Sequence, residues 1–370
     1  MSQGINVLSF FDGISAGQDA LRQLGVKVNR YIAIEIDQES IDITQANFPK
    51  TEQRGDILLL HTDMKKFVAS LPKIDLIFAG SPCQGFSRSG KGKGFDHPRS
   101  KLFFTFVEIF NEIKIQQKAP DIPFFFENVV MHKKWAKEIS KAFGVKEELY
   151  QAILYSPNSR SRFYWTNLKP PKAIIEKYKQ ESGWKTYQDI LVTKSPSVSR
   201  VVQKPDISRA GKSAKDKFNW YKTKRSWSLG CLYHNHSQGY RVSKINSKMP
   251  CFTASGRGVN KGIGAYGFDA NNFSKENISL IKQTPDPLII TPSHIQAKKL
   301  GIPETTYIVC RPAFSEVLEA MGFSSDYFDK QSLQSLSDAA KTRGIGNSWH
   351  VTIVKLLIEW YCRSNGWIKS

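Results

Sequence analysis

The sequence predicts an α/β protein built on a doubly wound, mostly parallel sheet, with a smaller and irregular domain after it. Three observations carry this reading. Strand-like apolar runs alternate with stretches of helical spacing up to about Trp165, the pattern breaks at "KPPK" (169–172), and basic charge concentrates beyond the break.

The elements follow in order. "INVLSFF" (5–11) is a first strand, and "GQDALRQLG" after it carries helical spacing. "YIAIE" (31–35) and "QESIDITQANF" repeat the alternation, as do "DLIFAG" (75–80) and "SKLFFTFVEIFNEI". "PFFFENV" (123–129) and "YQAILYS" (150–156) complete the expected strands. A helix between successive strands supplies the crossover that parallel pairing needs. Beyond Trp165 a Ser-, Lys- and Gly-rich stretch of weak periodicity runs to about residue 262. Near the end, "RPAFSEVLEAMGF" (311–323) and "NSWHVTIVKLLIEWYC" (347–362) are amphipathic or strongly apolar and are expected to pack back onto the sheet. The expected divisions are residues 1–169, 170–305 and 306–370, without internal repeats.

Composition narrows the function classes. The 370 residues are 40% apolar, enough for a substantial core. No apolar run approaches the roughly 18 residues of a membrane span. The start, "MSQGINVLSFFDG", lacks a signal peptide's charged lead and cleavage site, so a cytoplasmic or nuclear protein is expected. Five scattered cysteines form no CxxC pair, which indicates neither a disulfide framework nor a zinc site. Of the net charge of +20, residues 169–262 hold 20 Lys or Arg against five acids. In "KFNWYKTKRSW" (217–227) the basic residues interleave with aromatic ones, a mixture suited to phosphates and displaced bases. A nucleic acid is the expected partner, with a basic surface kept for solubility as the plainer alternative.

In doubly wound sheets, ligands sit beyond the carboxyl ends of the strands. After the first strand, "FFDGISAG" (10–17) offers Gly13 and Gly17 for close backbone approach. Glu35 ends the second strand, where an acid suits a ribose's hydroxyls, and Asp56 in "RGDI" suits an amine such as adenine N6. These residues describe a nucleoside pocket without the full GxGxxG spacing. Each also has a plain structural role, the glycines in turns and the acids as helix caps. "GSPCQGFSRSGKG" (80–92) ends a strand on a thiol, Cys83, and "FFFENV" sets Glu127 behind three phenylalanines, where burial raises a carboxyl's pKa. Cys83 as a small buried hydrophobe and Glu127 as a cap are the alternatives.

"FFDGISAG", "GSPCQGFSRSGKGKGF", "FENV", "SRSRFYW" and "GIGNSWHV" occur in the order seen in cytosine-5 DNA methyltransferases, and the chain resembles that family from end to end. "LSFFDGISAG", "SRSRFYW" and "SWHV" are similar to the vertebrate de novo enzymes, "PCQGFS" and "GNS" to bacterial and phage members. A compact microbial or viral member is expected. The resemblance implies the family's Rossmann-like methyltransferase fold, S-adenosylmethionine as cofactor and double-stranded DNA as partner. It makes residues 170–305 the variable target recognition domain. A monomer is expected, with a restriction endonuclease as functional counterpart.

The resemblance also implies roles. Cys83 attacks cytosine C6, Glu127 holds N3, Arg162 contacts the base and Arg160 supports the site. Base flipping brings the cytosine within reach of the thiol, and a guanidinium such as Arg162 is expected to raise the thiolate fraction. Phe11 stacks on adenine, Gly13 and Ile14 approach the methionine part, Glu35 takes the ribose, and Asp56 with Ile57 holds adenine. Leu102, Asn347 and Trp349 complete the pocket. Two departures stand out: Asn158 replaces the glutamine of the QxRxR pattern, and Ile36 follows the acidic ribose ligand. Gln84, Ser87, Arg88 and Ser89 are expected at the DNA, on a loop through Lys91 to about Arg99 that closes with freedom lent by glycines 85, 90, 92 and 94. Thr253, Arg257 and Asn260 of "MPCFTASGRGVNKG" (249–262) are candidate contacts in the basic domain, Arg257 being suited to a guanine edge. Three rivals stay open: the tRNA-methylating branch, which "CFT" (251–253) resembles; a non-catalytic DNA-binding module; and a nuclease resting on His234 and His236 alone. No metal is expected.

Overall fold

The computed structural model describes residues 4–86, 93–190, 197–201, 232–235, 239–242, 249, 251–252, 266–284, 287, 289–290 and 304–368. Its first part runs β1 (Ile5–Phe10), α1 (Ala16–Gln23), β2 (Val28–Ile34), α2 (Gln38–Asn47), β3 (Glu52–Gln53), α3 (Ile57–Thr62), α4 (Met64–Ala69) and β4 (Leu76–Ala79). It continues through α5 (Leu102–Gln116), β5 (Phe124–Val129), α6 (Lys133–Phe143), β6 (Glu148–Gln151) and β7 (Ser161–Thr166). Among the described residues these seven strands form one sheet in the order β3-β2-β1-β4-β5-β7-β6. The pairs from β3 to β5 are parallel, as expected, and β7 runs antiparallel to both β5 and β6.

Alternation along the strands sends neighbours to opposite faces, and both faces are buried, as parallel sheets require. Val7, Tyr31, Phe78 and Phe125 enter one apolar layer with Trp349 and the last helix; Leu8, Ile32, Ile77 and Phe126 enter the other with Phe103, Phe106 and Phe143. The second layer is rich in aromatic rings, most of them edge-on or tilted, as in Phe103–Phe143 at 5.6 Å between ring centroids.

Two expectations change. "YQAILYS" is a strand only through Gln151, after which Ala152–Leu154 forms a 3₁₀ turn. "SRFYWT", expected to matter only as a motif, is the strand inserted between β5 and β6. Its aromatic run hides the two-residue period in the sequence, and only pairing with β5 settles its conformation.

The rest of the chain includes α7 (Lys172–Ser182), β8 (Leu232–Asn235) paired with β9 (Gly239–Val242), β10 (Tyr266–Asp269), α8 (Lys275–Gln283), β11 (Ile289–Ile290), β12 (Tyr307–Cys310), α9 (Phe314–Met321), α10 (Asp338–Asn347) and α11 (Val351–Ser364). β12 pairs with β10 and β11 in a small antiparallel sheet, so the expected break at 305/306 falls ahead of a strand of that sheet. The apolar helix α11 packs against α1 and α7. Its buried Glu359 accepts from Tyr178 Oη at 2.7 Å, Lys177 Nζ at 3.1 Å and Arg363 Nε at 2.9 Å, so this acid does not enter the core unpaired. No helix among the described residues is long and apolar enough to cross a membrane.

Candidate active site

The thiol and the acid come from adjacent parallel strands. β4 ends at Ala79 and carries the chain into Ser81-Pro82-Cys83; β5 holds Glu127 in its last turn of pleat. Asn128 joins them, its Nδ2 donating to the Ser81 carbonyl at 3.0 Å, two residues before the thiol. The sequence reading passed over Asn128, although it sits inside the quoted "ENV".

The β5–β7 register pairs Glu127 with Tyr164 and Val129 with Arg162, which sets Arg162 and Glu127 on one face of the sheet. Arg162 Nε stands 2.9 Å from Glu127 Oε1, in an ion pair whose N–H is poorly aimed at that oxygen. Burial pushes the Glu127 carboxyl up, against the pull of Arg162 and Arg160. Burial also pushes the Cys83 thiol up, and the Glu127 charge adds to it, while Arg162 and Arg160 oppose. The expected lowering by Arg162 is therefore present but outweighed: a half-buried thiol loses more hydration than two guanidinium groups restore. Burial pushes the fully buried Cys310 and Cys362 up to about 12, opposed by Arg200 at the first and reinforced by the Glu359 charge at the second, and both behave as core hydrophobes.

Arg160 is a support. It is 4% exposed, and its Nη1 and Nη2 donate to the carbonyls of Gly346 (3.2 Å) and Ser348 (2.7 Å). It thereby ties β7 to the segment that carries Asn347 and Trp349. Asn158, the departure from QxRxR, is buried, and its backbone bridges to Met249. Ser159 N–H donates to the Met249 carbonyl at 2.8 Å, which docks Met249 beside the arginine strand.

The loop after Cys83 is held at its base. Phe86 is buried against Phe95 and Trp135, with ring centroids at 4.9 and 5.7 Å. Gly94 N–H donates to the Gly85 carbonyl at 2.9 Å, closing a neck. A Cβ on Gly85 would lie 2.4 Å from the Gly94 carbonyl oxygen, and one on Gly94, at φ 57°, would lie 2.2 Å from the Trp135 ring. The freedom expected of Gly85 and Gly94 is thus replaced by close packing; glycine is needed there for room. Gln84 is exposed beside the thiol. Ser87, Arg88, Ser89, Gly90, Lys91, Gly92, Thr253, Arg257, Asn260 and His236 lie outside the described residues.

The first two strand ends form a polar concavity. Glu35 Oε2 accepts from Gly13 N–H at 2.8 Å, and Oε1 from Ile36 N–H (2.7 Å) and Asp37 N–H (2.9 Å). Three backbone donors fix this carboxylate and leave acceptor capacity for a further hydroxyl, so the donor set fits a ribose. Ile36 is 68% exposed and Phe11 half-buried, two apolar side chains at the mouth suited to an aromatic ring. Asp56 caps α3, accepting from Leu58 N–H at 2.9 Å, the alternative the sequence left open. Ile14 and Ile57 are buried, and any contact they make with a ligand is through the main chain. Leu102 is half-buried at the start of α5 and Asn347 is exposed at the end of α10. The Trp349 ring is buried edge-on against Phe125 (5.1 Å) and lies where a Cβ on Gly80 would stand. α10 itself had little signal, being weakly amphipathic with two internal glycines.

Residues 5–361 match the family model described as C-5 cytosine-specific DNA methylase. An orphan methyltransferase of Bacillus phage SPR is 35% identical over 173 residues, covering 43% of this chain and 37% of that protein. The type II methyltransferase M.NgoBV of Neisseria gonorrhoeae is 29% identical over 248 residues, covering 61% and 56%. The matches thus span about a third to a half of these relatives' lengths. Among solved structures, the Entamoeba histolytica methyltransferase EhMeth aligns over 98% of this chain and 99% of its own with a TM-score of 0.63 at 17% identity. The S. pombe Dnmt2 methyltransferase aligns over the same shares with a TM-score of 0.59 at 18% identity. Those two likenesses speak to the fold, whereas the family model spans nearly the whole sequence: the chain belongs to the C-5 cytosine-specific DNA methylase family.

Proposed function

We propose that the protein is a DNA (cytosine-5-)-methyltransferase that takes a target cytosine out of duplex DNA and methylates it at C5 within a short sequence. The observation that carries this is the grouping of Cys83 and Glu127 at the carboxyl ends of β4 and β5 with Arg162 at the start of the antiparallel β7, one strand away from the polar concavity after β1 and β2. The base has to be flipped because C6 is hidden inside a stacked duplex. Glu35, the Gly13 backbone and the apolar pair Phe11 and Ile36 would hold S-adenosylmethionine, which when bound would supply an electrophilic methyl group.

The chain's own residues do the rest. Cys83 Sγ forms a bond to C6, and the electron pair of the C5–C6 bond moves toward C5. Glu127 holds a proton because burial raises its pKa, and it delivers that proton to N3 as the ring accepts the thiolate. A proton on Glu127 also removes the charge that works against the Cys83 thiolate, so the acid in its protonated form favours the nucleophile in its ionised form. Arg162, beside Glu127, offsets negative charge developing on the ring. After transfer C5 carries both its hydrogen and the new methyl group; loss of the C5 proton to water re-forms the C5–C6 double bond and expels Cys83 as the thiolate, while the N3 proton returns to Glu127. The basic stretch 169–262 supplies phosphate contacts.

Transfer of labelled methyl groups to unmethylated duplex DNA and to bulk tRNA, with wild type and Cys83→Ala, tests the reading. C5 labelling of duplex DNA that vanishes in the variant is expected. Labelling of tRNA alone moves the chemistry to the other nucleic acid, and labelling of neither leaves a binding module.

A further inference from the structure

We propose that Asp12 is a positioning residue for the cofactor pocket: gripped by hydroxyls from β1, β2 and the start of α1, its carboxylate holds the β1–α1 turn in the strained shape that presents Phe11 and the Gly13 N–H. The inference rests on the methyltransferase reading above.

Phe11, Gly13 and Ser15 have φ of 56°, 58° and 57°, so alternate residues of one turn are left-handed, and two of them carry side chains. Such strain persists only where the surroundings over-determine it. Asp12 lies in the middle and is 3% exposed. Its Oδ1 accepts from Ser9 Oγ at 2.5 Å and Tyr31 Oη at 2.8 Å, and its Oδ2 from the Ser15 hydroxyl. One carboxylate thus ties the turn to two neighbouring strands and to the helix that follows. The donors are all neutral. Burial still pushes Asp12 up to about 6, a cost that an apolar residue in this place would avoid.

What the clamp holds is the pocket. Phe11 N–H donates to the Ile34 carbonyl at 2.8 Å and completes β1, and Ser15 N–H donates to the Asp12 carbonyl at 3.1 Å within the turn. Gly13 N–H reaches Glu35, and the Ile14 carbonyl accepts from Tyr327 Oη at 2.6 Å. With Asp12 fixed, Phe11 stays half-buried at the edge of the second apolar layer and the Gly13 N–H meets Glu35. A turn free to relax its left-handed residues would lose both before any ligand arrives, and binding would have to restore them.

Titration calorimetry with S-adenosylmethionine and S-adenosylhomocysteine tests this, beside thermal denaturation and steady-state kinetics on duplex DNA. Asp12→Asn keeps the shape but turns one acceptor into a donor facing a hydroxyl. It should weaken binding of both ligands about 10- to 100-fold, the consequence of one unmade buried hydrogen bond to a charged group. KM for the cofactor should rise in step, while kcat at saturation and KM for DNA stay within roughly threefold of wild type. Tyr31→Phe and Ser15→Ala each remove one donor and should weaken binding roughly 3- to 10-fold. Wild-type affinity in Asp12→Asn, whatever its melting temperature, overturns the proposal. If that variant does not fold, unchanged affinity in both Tyr31→Phe and Ser15→Ala overturns it equally. Wild-type protein that binds neither ligand sinks the methyltransferase reading along with it, whereas normal wild-type binding with unaltered variants sinks this inference alone.

Discussion

The turn after β1 and the loop after β4 both leave the carboxyl ends of neighbouring parallel strands, and they are held by opposite means. Around Asp12, three hydroxyls and a carboxylate fix a turn with left-handed residues. Around Cys83, Phe86, Phe95 and Trp135 pack on a neck where Gly85 and Gly94 meet through their backbones. Under the proposed function, the contrast follows from what each side would present. A nucleoside needs fixed donors and acceptors, which a polar clamp supplies at the cost of burying a charge. A thiol that is to enter a base, as proposed, would need a rigid base to its loop, which aromatic packing supplies.

That contrast can be broken or sharpened by experiment. The largest effect is expected from Cys83→Ala, which should lower methyl transfer by at least about 10³-fold while leaving calorimetric binding of S-adenosylmethionine unchanged. Loss of cofactor binding in this variant would show that the two ends are not separate. Glu127→Gln, which retains size but cannot deliver the proton, should lower kcat about 10²- to 10³-fold. A pH–rate profile that keeps the wild-type limb in this variant would remove Glu127 from the acid's role.

Gly94→Ala and Gly13→Ala compare the regions directly, since the two glycines share nearly the same φ. At Gly94 the new Cβ meets Trp135, so strain and overpacking add to about 2–4 kcal/mol. At Gly13 nothing lies within 4 Å, and strain alone should cost about 1 kcal/mol. Urea denaturation giving equal losses would show that the neck is not packed as described.

The smallest effect is a pH dependence. Asp12 titrates near 6 in the folded protein, above its ordinary 3.8, with Glu35 adding to the effect of burial. The folded state therefore holds this proton more tightly than the unfolded chain. Its contribution to stability is full below about pH 3.8 and is lost as pH rises through 6. Relative to Asp12→Asn, wild type should lose a few degrees of melting temperature between pH 4 and 6. The melting difference between wild type and Gly94→Ala should not follow the Asp12 transition over that range, because that substitution leaves the Asp12 clamp intact.

Much of the fold was legible because parallel strands buried on both faces read as apolar runs, and "LIFA" and "FFFENV" could hardly be anything else. α10 was not legible, since two glycines and a weak apolar stripe leave its helix to the Ser337 cap and to packing around Ile345. At the site, Cys83, Glu127 and Glu35 stood out as reactive or charged groups directly after apolar strands. Asp12 and Asn128 sat inside the same quoted motifs and gave no signal, because a positioning role is defined by partners far away in sequence, such as Tyr31 and Ser81.

The sequence by itself determined the alternation of strands and helices, the strand ends on which chemistry falls, and the segregation of basic charge, because all three are written in local periodicity and composition. Only the tertiary structure decided that β7 enters the sheet reversed and brings Arg162 to Glu127. It also made Arg160 a strut and Gly94 a packing necessity. It set the Cys83 thiol above its ordinary range despite two nearby guanidinium groups. Those outcomes depend on distance and desolvation, which exist only once segments remote in the chain have been brought together.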